Sequence, residues 1–177
     1  MTFLFKHNEW WKAGVAVVLF MIATVLIQNE VAAFEELSGG EPLIELPNLA
    51  GENLYDIATL YSDEALESYQ YRVQPLDVIY PLTAGVMFFL TLNAFTTRLF
   101  PEDSNWRYVP ILGLLATLLD WGENLCVFVI LRTLENPIDW LSPLTSGFTM
   151  IKTIMGMICI ILILGMFILW VYRKVRQ

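Results

Sequence analysis

Apolar residues run in four long stretches, at about 12–33, 77–99, 108–132 and 145–171, separated by one long and two short polar connections. At 1.5 Å per residue each stretch reaches across a hydrocarbon core of about 30 Å, so each is predicted to be a membrane-spanning helix. A helix satisfies every backbone N–H and C=O within its own segment, which lipid cannot do for it. The pattern therefore predicts an all-α fold, a four-helix transmembrane bundle in which residues 1–177 form a single integral membrane domain.

Residues 35–76 are the long connection between spans 1 and 2, and they divide in two. The first part carries Glu35, Glu36, Glu41 and Glu45 and is broken by Gly39, Gly40, Pro42 and Pro47, which predicts a loop. From Glu52 to Val73, apolar residues such as Leu54, Ala58, Leu66 and Tyr69 recur at helical spacings, and Ser62 is placed to cap the second of two short helices. The connection is thus predicted to be partly helical. Its nine acids fit a solvated face that keeps the protein oriented, whereas its apolar residues fit a lid over the mouth of the bundle. Pro75 suits the first turn of the second span; Pro81, six residues later, falls inside it and predicts a kink near Tyr80.

Composition fixes the solvent and charge suggests the orientation. A mean hydropathy of +0.58 with 56% apolar residues requires a bilayer, since folding in water would expose large apolar surfaces. The net charge of -8 is unevenly laid out: Lys6, Lys12, Arg98, Arg107, Arg173, Lys174 and Arg176 flank the spans on one side, against Arg72 and Arg132 on the other. Positive charge stays inside, so both termini are expected in the cytoplasm of a multi-pass protein of the cell (inner) membrane, with residues 35–76 extracytoplasmic. Trp10, Trp11, Trp106, Trp140 and Trp170 fall at predicted helix ends, where amphipathic rings anchor, and Trp121 does not. The first span leads into Val31, Ala32 and Ala33, a spacing that signal peptidase accepts, yet Trp10, Trp11 and the apolar run to Phe34 favour a retained helix.

Cys126 and Cys159 lie within spans and are expected to pack as small apolar residues. With His7 as the only histidine, the usual thiol and imidazole sets for zinc, haem or di-iron are missing, and no metal or cofactor is expected. Basic residues are few and sit at membrane flanks, which argues against nucleic acid as a partner. The bilayer is the partner that composition demands; an oligomer or another membrane protein is compatible with it.

Asp120, Glu123 and Asn124 stand in the middle of the third span, where each ionised carboxylate costs about 2.5 to 3.5 kcal/mol. On a helix they fall within an arc of about 100° and share one face. The twelve strongly apolar residues around them contribute about -4 to -7 kcal/mol of insertion, so this helix is marginal unless the charges meet a counter-ion, water or a proton. Lys152 is the counter-ion on offer. It lies nine residues inward from Pro143 on the fourth span, as Glu123 lies nine inward from Arg132 on the third, and each is about 13 Å deep. One lysine between two acids leaves surplus negative charge. Glu30, Gln28 and Asn29 on the first span, Asp77 and Tyr80 on the second, and Arg72 and Arg132 near the mouth extend a polar path outward.

The candidate ligand-binding set is Asp120, Glu123, Asn124, Lys152, Arg72, Asp77, Tyr80 and Glu30, in which Asn124 is expected to orient the carboxylates and Lys152 to set their protonation. No catalytic residue is assigned. The expected function is binding of a small amphiphilic or cationic ligand, or of a proton. An enzyme that uses Asp120 or Glu123 as general acid or base on a lipid or isoprenoid is the first alternative. A structural or assembly subunit, its charges merely fixing helix register, is the second.

On these residues the chain resembles a group of short bacterial four-span membrane proteins. The likeness covers residues 52 to about 160: an acidic helical segment ending in Tyr71 and Arg72, then Asp77, Tyr80 and Pro81, then Asp120, Glu123 and Asn124, then Lys152. That group brings no activity with it. In topology alone the chain is also similar to the sterol-isomerase and sigma-2-receptor superfamily, whose four-helix cores hold acids in a lipid-accessible cavity. The histidine and glutamate pair of that superfamily's isomerases is missing from this sequence.

Overall fold

The structure, a computed structural model, describes residues 10–45 and 53–176; Lys6, His7, Pro47 and Glu52 lie outside them. Helix α1 (Trp10–Leu37) is followed by two short helices, α2 (Leu54–Ala58) and α3 (Asp63–Ser68), and by a π-helical turn at Tyr69–Val73. That turn runs straight into α4 (Gln74–Leu99). A 3-10 turn at Asn105–Tyr108 leads to α5 (Ile111–Arg132), and α6 (Leu141–Val175) closes the chain. Among the described residues four helical segments are long and apolar enough to cross a membrane, and α1, α4, α5 and α6 carry them. The spans read from the sequence hold in their middles. At their ends α1 and α6 run further, because intrahelical hydrogen bonds continue past the apolar stretches; with 35 residues, α6 is about 52 Å long.

Helix α4 is the hub. It packs against α1, α5 and α6, α5 and α6 pack against each other, and α1 leans chiefly on α4. Small residues make a close approach between α4 and α5: a Cβ on Gly113 of α5 would lie 2.8 Å from Phe88 Cβ and 2.9 Å from the carbonyl oxygen of Gly85. Helices in lipid lack a hydrophobic drive toward each other, and such contacts bring backbones near enough for dispersion and interhelical hydrogen bonds to hold them.

The described parts of the connection between spans 1 and 2, residues 35–45 and 53–76, fold over one end of the bundle, here the loop end, as a packed cap. Leu54, Ala58, Ala65 and Val73 are 0% exposed and join Ile44, Tyr55 and Tyr61 in one core with Cys126, Val127, Ile130 and Leu131 of α5 and Leu141 of α6. A solvated connection is excluded for this half. Ser62 caps α3 as expected, its Oγ accepting from the Ala65 amide at 3.1 Å. The Leu54 amide donates to Ser142 Oγ at 3.1 Å, the hydroxyls of Tyr55 and Thr133 meet at 2.8 Å, and Tyr61 donates to the Pro42 carbonyl at 2.6 Å. Helix α1 continues through Val31 to Ala33, and Phe34 beyond them is wholly buried against Tyr61 and Tyr69, ring centroids 5.0 and 5.2 Å away. Gly39 and Gly40 then turn the chain at φ +76° and +95°, angles that other residues adopt only under strain.

At the opposite, terminal end the core changes character. Leu92, Phe95, Leu99, Cys159 and Met166 form a second buried apolar cluster, beside the buried neutral side chains of Asn93 and Thr96. The cations stay at its rim: Arg173 donates to the Leu99 carbonyl at 2.8 Å, and the Arg98 guanidinium lies 4.7 Å over the Trp10 ring. Trp10 and Trp170 meet edge to face at 5.7 Å, so the paired aromatic ends of α1 and α6 mark the same level.

Candidate functional site

The charge cluster sits between these two cores. Lys152 of α6 and the acids of α5 meet at one depth: Lys152 Nζ is 3.1 Å from Asp120 Oδ2 and pairs also with Glu123. Glu123 is 0% exposed, and its other oxygen accepts from Thr149 Oγ1, three residues before Lys152 on the same helix. Both oxygens of Glu123 are therefore engaged. Asp120 differs, because its Oδ1 is buried with no hydrogen-bond partner. A carboxylate in low dielectric with one idle oxygen is the site's least satisfied group.

Two more acids lie within electrostatic reach of the same ammonium. Asp77, in the first turn of α4, acts electrostatically on Glu45, Asp120, Glu123 and Lys152. Glu45 descends from the cap, accepts a hydrogen bond from the hydroxyl of buried Tyr69, and is coupled through space to Glu123 and Lys152. Burial raises the Glu45 carboxyl above the ordinary glutamate range; the Tyr69 hydroxyl opposes that shift and the Glu123 carboxylate adds to it. Tyr80 borders the same space, its ring 5.5 Å from Phe20, its hydroxyl bonded to Thr24, and Asp120 close enough to act on it.

Asn124 does not orient the carboxylates. Its Nδ2 donates to the backbone carbonyl of Asp77 at 2.7 Å, and the reason is Pro81. A proline has no N–H to give to the carbonyl four residues back, which here is that of Asp77. Neighbouring donors serve this weakened stretch: Trp121 Nε1 donates to the Val78 carbonyl at 2.9 Å, and Thr117 Oγ1 to the Pro81 carbonyl at 2.8 Å. Helix α4 thereby runs from Gln74 to Leu99 without interruption at Tyr80, and Trp121 has a partner that accounts for its place away from the interface.

The outward path also differs from expectation. Arg72 is exposed on the π turn, Arg132 is exposed with its guanidinium 4.2 Å over the Phe128 ring, and Gln28 and Asn29 are exposed on α1. Long cations at a helix end reach outward more cheaply than inward. Glu30 is half-buried, with one shielded oxygen lacking a hydrogen-bond partner. Polar groups from the cap, Glu45 and Tyr69, take the place of the arginines.

Glu45 and Thr149 were missed from the sequence. The signal for Glu45 is its setting, Leu43-Ile44-Glu45-Leu46, the one acid of the first loop half with apolar residues on both sides. The signal for Thr149 is the spacing of Ser142, Thr145, Thr149 and Lys152, which puts all four on one face of α6; the first three are buried there. Among the described residues no three His, Cys, Asp or Glu side chains are grouped so as to hold a metal ion. Comparison with protein-family models, with curated proteins and with solved structures gives no match, so the fold and the site rest on this chain's own residues.

Proposed function

We propose that this is a cell-membrane protein with both termini in the cytoplasm, whose buried cluster binds a proton from the extracytoplasmic side, a small cationic or amphiphilic ligand competing for the same surplus charge. The observation that carries the proposal is the stoichiometry of the cluster: Asp120 and Glu123 share the single ammonium of Lys152, with Asp77 and Glu45 within electrostatic reach of the same group. Four ionised acids around one base in low dielectric repel one another, and protonation is the least costly relief, since a proton needs one oxygen and no coordination shell.

Three features support this reading. The idle Oδ1 of Asp120 is an acceptor already in place. Tyr69 and Glu45 link the cap to the cluster, so the polar path leads to the loop end. On the other side the buried polar side chains beside Leu92, Phe95 and Leu99 are the neutral Asn93 and Thr96, with no ionisable group among them, which fits a site that binds rather than one that conducts. The orientation is supported by Arg98, Arg107, Arg173 and Lys174 gathered at the terminal end.

Infrared difference spectroscopy on the protein in nanodiscs tests the proposal. A protonated-carboxyl band at neutral pH is expected, diminished by Asp77→Asn or Glu45→Gln and shifted by a hydrophobic quaternary ammonium ion. A spectrum with carboxylate bands only, unaltered by these changes, disproves it. Glu123→Gln with Lys152→Met, combined, gives a second check: a double variant with the parent's spectrum and pH response leaves the cluster without a binding role.

A further inference from the structure

A groove of about 450 Å³ opens on the outer face of α4 and α5 beside the cluster, lined by Gln70, Gln74, Val78, Trp121, Leu125 and Phe128 among others. We infer that it holds an acyl chain of a phospholipid whose anionic headgroup is bound by Arg132. This does not rest on the proton-binding reading, since the groove lies outside the cluster and uses none of its charged groups.

The chemistry of the floor excludes the usual alternative, a packed helix. Partner helices in lipid are recognised by small residues and by free hydrogen-bond donors. This floor has bulky Trp121, Leu125 and Phe128, and the indole of Trp121 and the amide nitrogen of Asn124 are already spent on the Val78 and Asp77 carbonyls. What it presents is hydrocarbon surface, with Leu125 64% and Val78 50% exposed. The ends differ in the way an anionic lipid differs. Positions 121, 125, 128 and 132 follow one ridge of α5. From Trp121 to Arg132 that ridge runs about 16 Å toward the loop end. At its top the guanidinium of Arg132 lies 4.2 Å from the centroid of the Phe128 ring that lines the groove, and Gln70 and Gln74 line the groove as well. Among the described residues Arg132 forms no ion pair, so its forked donors are left for a phosphate.

Trp121 makes the occupant visible. In nanodiscs of phosphatidylcholine, increasing fractions of phosphatidylglycerol with brominated acyl chains are added, and the Trp121 contribution is isolated by subtracting the Trp121→Phe signal. Half-maximal quenching is expected at about a tenfold lower fraction for brominated phosphatidylglycerol than for brominated phosphatidylcholine. Arg132→Gln should bring the two curves together, Arg132→Lys and Arg72→Gln should keep them apart, and Val78→Phe, which fills the groove, should weaken quenching by both. Coincident curves for the parent protein mean an ordinary annular lipid and overturn the inference. So does a preference that survives Arg132→Gln, a Val78→Phe curve like the parent's, or protection from both lipids, the mark of a second copy of the chain over the groove.

Discussion

The two halves of this bundle are built from the same helices and have opposite interiors. Toward the loop end, α4, α5 and α6 enclose Asp77, Asp120, Glu123 and Lys152 beneath a packed cap. Toward the terminal end the same helices close over Leu92, Phe95, Leu99, Cys159 and Met166 with no buried charge in that cluster. The terminal half holds the same helices with apolar packing, small-residue crossings and neutral buried groups such as Asn93 and Thr96. Buried charge, costly in a bilayer, is what sets the loop half apart.

The sharpest way to break this contrast is Lys152→Met. Removing the one cation leaves Glu123, at 0% exposure, without its ion-pair partner, and about 3–5 kcal/mol of stability should be lost in a reversible unfolding assay, partly recovered when Glu123→Gln is added. A loss of only a few tenths would show the loop half to be as indifferent to charge as the terminal half. Next in size is Asn124→Leu, which strands the Asp77 carbonyl and should cost about 1–2 kcal/mol. In a Pro81→Ala background the new N–H serves that carbonyl, and a double-mutant cycle should find the Asn124 penalty nearly abolished.

The pH response of the cap is a subtler difference between the halves. Because folding raises the Glu45 carboxyl, its stabilising share is complete below the ordinary glutamate value of about 4.3. Above that value the unfolded state ionises first, so cap stability falls until pH passes the raised native value. Hydrogen exchange of residues 53–73 against pH should follow this fall, and Glu45→Gln should flatten it while exchange in the terminal half stays unchanged. The smallest effect is expected from Arg173→Gln, which removes an exposed cation from the Leu99 carbonyl and should shift stability by no more than about 1 kcal/mol.

The spans, the shared face of Asp120 and Glu123 and the depth match with Lys152 were legible in the sequence because each follows from helical rise and rotation alone. The lid of residues 54–73 was half legible: the apolar spacing and the Ser62 cap are local, whereas the choice between packing and solvation depends on Val127, Ile130 and Leu141, far along the chain. Asn124 was misassigned for the same reason. Its proximity to Glu123 is written in the sequence, but its partner is a carbonyl 47 positions away that matters because of a proline. Glu45 was hidden among acids of identical charge, distinguished only by apolar neighbours, and the backbone-bonding habit of threonines in spans concealed Thr149, which donates both to the Thr145 carbonyl and to Glu123.

The three donors of α5, Thr117, Trp121 and Asn124, meet the carbonyls of Pro81, Val78 and Asp77 in antiparallel sequence, and this works as an index mark between two otherwise greasy rods. Hydrocarbon packing alone tolerates a slide by one turn, since leucine replaces leucine. Such a slide here would strip the Trp121 and Asn124 side-chain N–H groups of their acceptors and the Asp77 carbonyl, which Pro81 leaves without an intrahelical donor, of its only partner, at a cost of about 1–2 kcal/mol for each unmet group. Spans 2 and 3 are therefore biased toward one register, and that register brings Asp120 and Glu123 level with the place where Lys152 will arrive on the last helix.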